Sequence, residues 1–246
     1  MLPRMTKRVD VGTVLSRVFG IYAEQAATLL PVAFILFLLV GILQGLLGGI
    51  LLLLATLVSV VVSTLYQGMV VKLVEDIQDG RRDFSAGELL GSVAPVVLPL
   101  IVAGFIVGVG VTVGLILVVV PGLILLTIWS VVGPVIVVER AGVIAALGRS
   151  RELVKGDGGA VFGVIVITFL ISFVLGIIFG AIGAALGGGV VSIVFQVIAS
   201  TITAPIGALT GAVLYFTLRG AAAPDPAFSS PEMPGSTPPP PPPPPQ

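Results

Sequence analysis

Residue types that move protons, hold metals or attack substrates are scarce in this 246-residue chain, which has no His and no Cys. That removes imidazole acid–base chemistry, thiolate nucleophiles, disulfides and every His or thiolate metal site. Carboxylates remain, and those in the connectors between apolar blocks form two groups: Glu75, Asp76, Asp79, Asp83 and Glu88, then Glu139, Glu152 and Asp157. The first group has the oxygen ligands a hard cation needs but the wrong register. With Gly80 at the glycine position of a calcium loop, Ala86 falls where the bidentate Glu belongs. Arg81 and Arg82 stand beside it, so it reads as a solvated connector. The glycine-rich run Gly156 to Gly163 lacks dinucleotide spacing and has no following Gly-Lys-Ser/Thr, so it reads as a flexible lead into a helix.

Phosphodiester hydrolysis would require a positioned base, or a metal held by such groups, in a site that excludes water. The carboxylates fall in two short loops, 72–88 and 139–157, too small to wall off a cavity. Glu139 is the exception, because it ends a hydrophobic run five residues after Pro134. Its expected role is to pair with Arg140 or Arg149, or to cap a helix starting at Ala141. The sequence therefore predicts no enzyme, no cofactor and no metal site.

The elements that would carry these residues follow from composition. Only 10% of the chain is charged and 57% is hydrophobic, whereas a soluble domain carries roughly 25% charged residues. Such a chain cannot cover a globular surface. Twelve basic and twelve acidic residues leave no net charge to draw it to nucleic acid. Three blocks hold no charge at all: 25–71, 89–138 and 158–218. At about 20 residues per crossing, each block holds two crossings, a transmembrane hairpin. The turns are marked by Gly45 with Gly48-Gly49, by Pro121-Gly122, and by Gly187-Gly188-Gly189. The predicted crossings are 26–45, 50–71, 94–118, 122–138, 160–184 and 190–217, within a membrane domain over 10–219 that follows a cytoplasmic segment 1–9. The fold class is an all-α integral membrane protein of six transmembrane helices. The first apolar run is far longer than a secretory h-region and reads as an uncleaved hairpin.

All twelve Lys and Arg lie outside the three blocks, so the three-hairpin topology places them on one face. By the positive-inside tendency that face is cytoplasmic, with both termini there.

Each hairpin is preceded by a short amphipathic segment, as if one unit were used three times. Val11, Val14, Leu15, Val18, Phe19 and Tyr22 share one helical face, opposite Asp10, Thr13, Ser16 and Arg17. The second segment, Ser85 to Val93, opens with a Ser85…Glu88 capping box. The third, Ala141 to Lys155, sets Val143, Leu147 and Val154 against Arg149, Arg151 and Lys155. All three are expected along the headgroup boundary, the third with an affinity for anionic lipid as the sharper reading. Residues 220–246 turn to Ala, Pro, Ser and Gly and end in eight prolines, Pro238 to Pro245. That run is expected as polyproline II, about 25 Å long, in a disordered cytoplasmic tail, with a ligand for an aromatic-lined groove as the alternative.

No ionisable residue is expected inside a crossing, which argues against ion-coupled transport. The polar residues there are Gln44, Ser59, Ser63, Thr64, Gln67, Thr112, Ser130, Ser172, Gln196, Ser200, Thr201, Thr203 and Thr210. Interhelical hydrogen bonding is their expected role; a dilute polar path through Ser63, Gln67, Gln196 and Thr203 is the alternative. Small-residue pairs at Gly104/Gly108, Gly110/Gly114, Gly176/Gly180 and Gly207/Gly211 allow close packing, and Pro31, Pro95, Pro99, Pro134 and Pro205 predict kinks or helix starts.

Pro121-Gly122, Trp129, the run Pro134 to Glu139, and Ala145 to Gly156 with its Ala-Leu-x-x-Ser-x-x-Leu core carry a family likeness. Over about 10–219 the chain resembles the membrane domain found ahead of the catalytic barrel in some bacterial glycerophosphoryl diester phosphodiesterases, a domain that also occurs alone. The resemblance implies six helices and a bacterial cytoplasmic membrane. It implies no chemistry, because that family's catalysis sits in a separate barrel with catalytic His, and this chain has no His. It also draws notice to Pro121, Gly122, Pro134, Glu139, Arg149, Ser150, Arg151 and Lys155 as structural or interfacial residues.

Two function classes stay open. The first is a non-catalytic membrane module that organises membrane lipids, or protein partners at its cytoplasmic face or proline tail. The second is a small permease or lipid-handling transporter without ion coupling.

Overall fold

The computed structural model describes residues 9–47, 51–80 and 86–222. Gly48-Gly49, Arg81, Arg82, Asp83, Ser85 and the proline tail lie outside the described residues. The described chain is helical, with ten α-helices: α1 Val11–Glu24, α2 Ala26–Leu46, α3 Leu51–Gln78, α4 Ala86–Val93, α5 Val97–Leu117, α6 Val119–Ile128, α7 Val132–Glu139, α8 Val143–Val154, α9 Gly158–Ala185 and α10 Gly189–Ala222. A single 3-10 turn, Ala94–Val96, joins α4 to α5 and holds Pro95 where its missing N–H costs nothing. Six spans are long and apolar enough to cross a membrane, the fourth built from α6 and α7 together. This is an all-α, multi-pass membrane fold. Phe105, Ile116 and Leu98, each at least 70% exposed, belong to its apolar outer surface.

The centre is α10, which packs against α9, α2, α3, α1, α7 and α8. Its 34 residues span about 51 Å, well beyond a hydrocarbon core of about 30 Å, so it projects past the bilayer or tilts. The tightest core gathers Tyr66, Met69 and Leu73 of α3 with Leu209, Leu214, Tyr215 and Leu218 of α10. Around it sit the short helices, with α1 on α9 and α10, α4 on α3, and α8 on α7.

The apolar stripes of the short helices therefore meet protein. In α1 the buried stripe is Val14, Val18 and Ile21, and Phe19 is exposed. In α8 it is Ala146, Ser150, Leu153 and Val154, while Val143 and Leu147 are only half-buried. Of the three apolar residues expected on the inner face, Val154 is buried; packing against α7 adds Leu153, the small Ala146 and the Ser150 hydroxyl.

Two turns differ from expectation. The second hairpin turns at Val118, in extended backbone, and Pro121 and Gly122 lie within the first turn of α6. A proline needs no N–H partner there, so Pro121 starts the helix instead of breaking the chain. Gly122 is buried on α5: a Cβ on Gly122 would come within 2.5 Å of Leu115, and one on Gly114 within 2.9 Å of the Gly122 backbone. Gly110/Gly114 is thus the seam of this hairpin, whereas a Cβ at Gly104, Gly108, Gly176 or Gly180 would meet nothing within 4 Å. Gly45 stays inside α2, against Ile193 of α10. The third turn falls at Gly187 to Gly189, whose φ values of 119°, 65° and 53° favour glycine.

Candidate functional site

The fourth crossing is interrupted at Trp129-Ser130-Val131, between α6 and α7. In an unbroken helix the Val132 N–H would reach the Ile128 carbonyl; here it bonds the Trp129 carbonyl at 3.3 Å. Pro134 withdraws the next donor, the one that would have served the Ser130 carbonyl. The freed Ile128 carbonyl accepts from Ser150 Oγ of α8 at 2.7 Å. Irregular backbone at membrane depth survives only where protein or a cavity satisfies it. Ser150, fully buried, supplies that partner from a helix 22 positions away in sequence.

Beyond the break, α7 ends in a polar cluster. Glu139 Oε1 accepts from Tyr215 Oη at 2.9 Å and from Arg149 Nε at 3.4 Å. Arg149 also reaches Glu152 at 3.5 Å, and Arg219 donates to Tyr215 Oη at 3.4 Å. Of the partners expected for Glu139, Arg149 is found and Arg140 is not. Arg140 takes a left-handed conformation (φ 53°) and donates to the Ser92 carbonyl at 3.0 Å, at the end of α4. α8 is capped by Gly142 without a side-chain bond, so Glu139 does not cap it. The cluster fastens α7 to α8 and α10.

Arg151 and Lys155 face away from that network, exposed and without an ion-pair partner among the described residues. They border a hollow of about 610 Å³ with Gly148, Glu152, Val154, Gly156, Gly158 and Ile128, and the Glu152 carboxylate in that lining is the one held by Arg149. Ile128 and Gly158 also border a second, apolar groove of about 390 Å³ between α6 and α9, walled by Val120, Leu123, Ile124 and Phe162. The two are neighbours, with Ile128 and Gly158 in the wall of each. The hollow carries two cations and the Glu152 carboxylate, and the groove is lined with hydrocarbon.

The interrupted crossing also adjoins two interior spaces. One, of about 260 Å³, lies among α3, α5, α7 and α10 and includes Thr64, Gln67, Trp129 and Ser130. The other, of about 550 Å³, lies between the α5/α6 and α9/α10 hairpins and includes Thr112, Ser172 and the same Trp129 and Ser130. Ser130 Oγ is buried with no hydrogen-bond partner.

Interhelical bonding is not what the intramembrane polar residues do. Thr201, Thr203 and Thr210 donate to carbonyls of their own helix, at 2.7–2.9 Å. Gln44, Ser59, Ser63, Thr64, Gln67, Thr112, Ser130, Ser172, Gln196 and Ser200 bond no neighbouring helix and line cavities instead. Further interhelical bonds come from Tyr66 Oη to the Leu29 carbonyl and Tyr22 Oη to the Ile202 carbonyl, both at 3.3 Å; the sequence placed Tyr22 on the apolar face of the first segment and gave no sign of Tyr66. The alternative of a single polar path divides: Ser63 and Gln196 line one cavity, Gln67 another, and Thr203 neither.

Among the described residues no three His, Cys, Asp or Glu side chains converge as a metal site would require. Comparison with protein-family models, with curated proteins and with solved structures finds no match to this chain.

Proposed function

We propose that this protein is a non-catalytic module of the bacterial cytoplasmic membrane that binds an anionic phospholipid from the cytoplasmic leaflet. The observation that supports the reading is that the Arg151/Lys155 hollow lies beside the apolar α6/α9 groove, with Ile128 and Gly158 in the wall of both. A phosphate headgroup suits the two unpaired cations and an acyl chain suits the groove. Juxtamembrane cations near an anionic leaflet contribute about 1 kcal/mol each. Both termini lie in the cytoplasm on this reading, because every basic residue is then on that side. The resemblance to a stand-alone phosphodiesterase membrane domain agrees with this location and adds no activity. Protein partners would meet the same face, through the Glu139–Arg149 cluster or the proline tail. The test is retention of lipid through mild-detergent purification, compared between the wild-type chain and Arg151→Glu/Lys155→Glu.

A second reading, a small permease or lipid-handling transporter without ion coupling, is favoured by the interrupted fourth crossing with a cavity on either side. It predicts that Gly110→Leu, which forces a side chain into the Trp129 ring, stops lipid or solute passage in proteoliposomes while lipid retention at Arg151 and Lys155 persists.

A further inference from the structure

Away from the α6/α9 groove, α2, α3 and α10 border a half-open cavity of about 160 Å³, with Gln196 exposed at its mouth and Gln44, Ser59, Ser63 and Ser200 half-buried. Its polar lining comes from Gln44, Ser59, Ser63, Gln196 and Ser200, and no lining residue is ionisable. The spacing is built for convergence. Ser59 and Ser63 are one turn apart on α3, as are Gln196 and Ser200 on α10. Gly41 and Gly45 let α2 close onto Val197 and Ile193 of α10, which carries Gln44 alongside. None of the five polar side chains bonds another residue among those described. Two amides and three hydroxyls, each able both to donate and to accept, thus face one space without protein partners. In a bilayer such groups persist only where something polar meets them.

We propose that this cavity is a hydrated binding site for a small uncharged polyol. The absence of any charge in the lining disfavours an ion, which would be desolvated there without a counter-charge. The alternating donors and acceptors match vicinal hydroxyls. The volume equals that of about five waters at roughly 30 Å³ each, which suits a solute of three carbons and three oxygens better than one of twice that skeleton. The site shares no residue with the Arg151/Lys155 hollow or its groove, so it stands or falls independently of the lipid reading.

The natural lack of Cys makes the test direct. Single Ser63→Cys and Ser200→Cys chains, full length in proteoliposomes, are reacted with a neutral hydrophilic methanethiosulfonate. Leu57→Cys, on the exposed apolar side of the same α3, is the control. A thiol reacts as thiolate and so needs water. Both cavity thiols are expected to react at least tenfold faster than the control. Glycerol should slow Ser63→Cys several-fold, sorbitol at equal osmolality should not, and Gln196→Leu should abolish the glycerol effect while leaving the thiol reactive. Reaction no faster than at Leu57→Cys would show a dry cavity and overturn the proposal. So would fast reaction that glycerol and sorbitol affect equally, or not at all, since that is a cavity holding water only.

Discussion

Ser150 Oγ stands 2.7 Å from the Ile128 carbonyl and gives a donor to a backbone group that the interrupted fourth crossing leaves free. Removing the hydroxyl leaves a buried carbonyl without a donor, at a cost of about 1–3 kcal/mol. Ser150→Ala should therefore lower the thermal midpoint in detergent clearly. Thr217→Val, which deletes a 2.7 Å bond to the Val213 carbonyl of its own helix, should lower it little, because that carbonyl keeps its place in α10. Equal effects would remove Ser150 from its role at the break.

Glu139 is placed to fasten helices. A charged acceptor paired with a phenol contributes about 1.5–3 kcal/mol, so Glu139→Gln and Tyr215→Phe should each destabilise. The double variant should cost less than the sum of the two, the mark of direct coupling. The purified protein should hydrolyse no glycerophosphodiester above a blank, with or without divalent metal. Metal-dependent turnover lost in Glu139→Gln would make Glu139 a catalytic group instead.

The cap of α1 gives a pH dependence. Asp10 accepts from the Thr13 N–H at 2.7 Å and from its hydroxyl at 3.0 Å, and these bonds hold its carboxyl below the usual carboxylate range. A carboxyl with a depressed folded pKa stabilises fully above its unfolded pKa and loses that contribution as pH falls through the folded one. The advantage of wild type over Asp10→Ala should hold at pH 6 and fade below about pH 4. An advantage unchanged down to pH 2 would contradict the assignment.

Topology is open to the same Cys chemistry. Leu46→Cys, Val118→Cys and Gly188→Cys should label from outside intact cells, and Lys155→Cys should not. Val118 replaces the Pro121-Gly122 pair as the probe of the second turn because Gly122 is buried against Leu115. External labelling at Lys155→Cys would reverse the orientation.

These expectations also show which features a sequence can express. The three hairpins were legible because charge cannot enter a bilayer, so gaps between charges count crossings. The Gly187 to Gly189 turn was legible because successive positive φ angles favour glycine. Pro121-Gly122 was misread because the same pair that ends one helix also starts another. The break at Trp129-Ser130-Val131 had no signature of its own, since none of the three breaks helices and Pro134 acts from four residues downstream. Ser150 resembled one more polar residue on an amphipathic helix; its partner became visible only when α8 lay along α7. The hydroxyls and amides of the crossings were expected to join helices, but composition records that a polar group exists and not what it faces. Arg151 and Lys155 were visible as part of a basic face, while the groove beside them depends on α6 meeting α9.

The central claim rests on Arg151 and Lys155, and native mass spectrometry of the detergent-purified chain titrated with phosphatidylglycerol or phosphatidylcholine tests it most directly. The account predicts retention of phosphatidylglycerol in preference to phosphatidylcholine. It also predicts a loss of at least about 30-fold in Arg151→Glu/Lys155→Glu, the equivalent of about 2 kcal/mol for two cations, with the fold intact by circular dichroism. Equal retention of both lipids by wild type, or unchanged phosphatidylglycerol binding in the folded double variant, would contradict it.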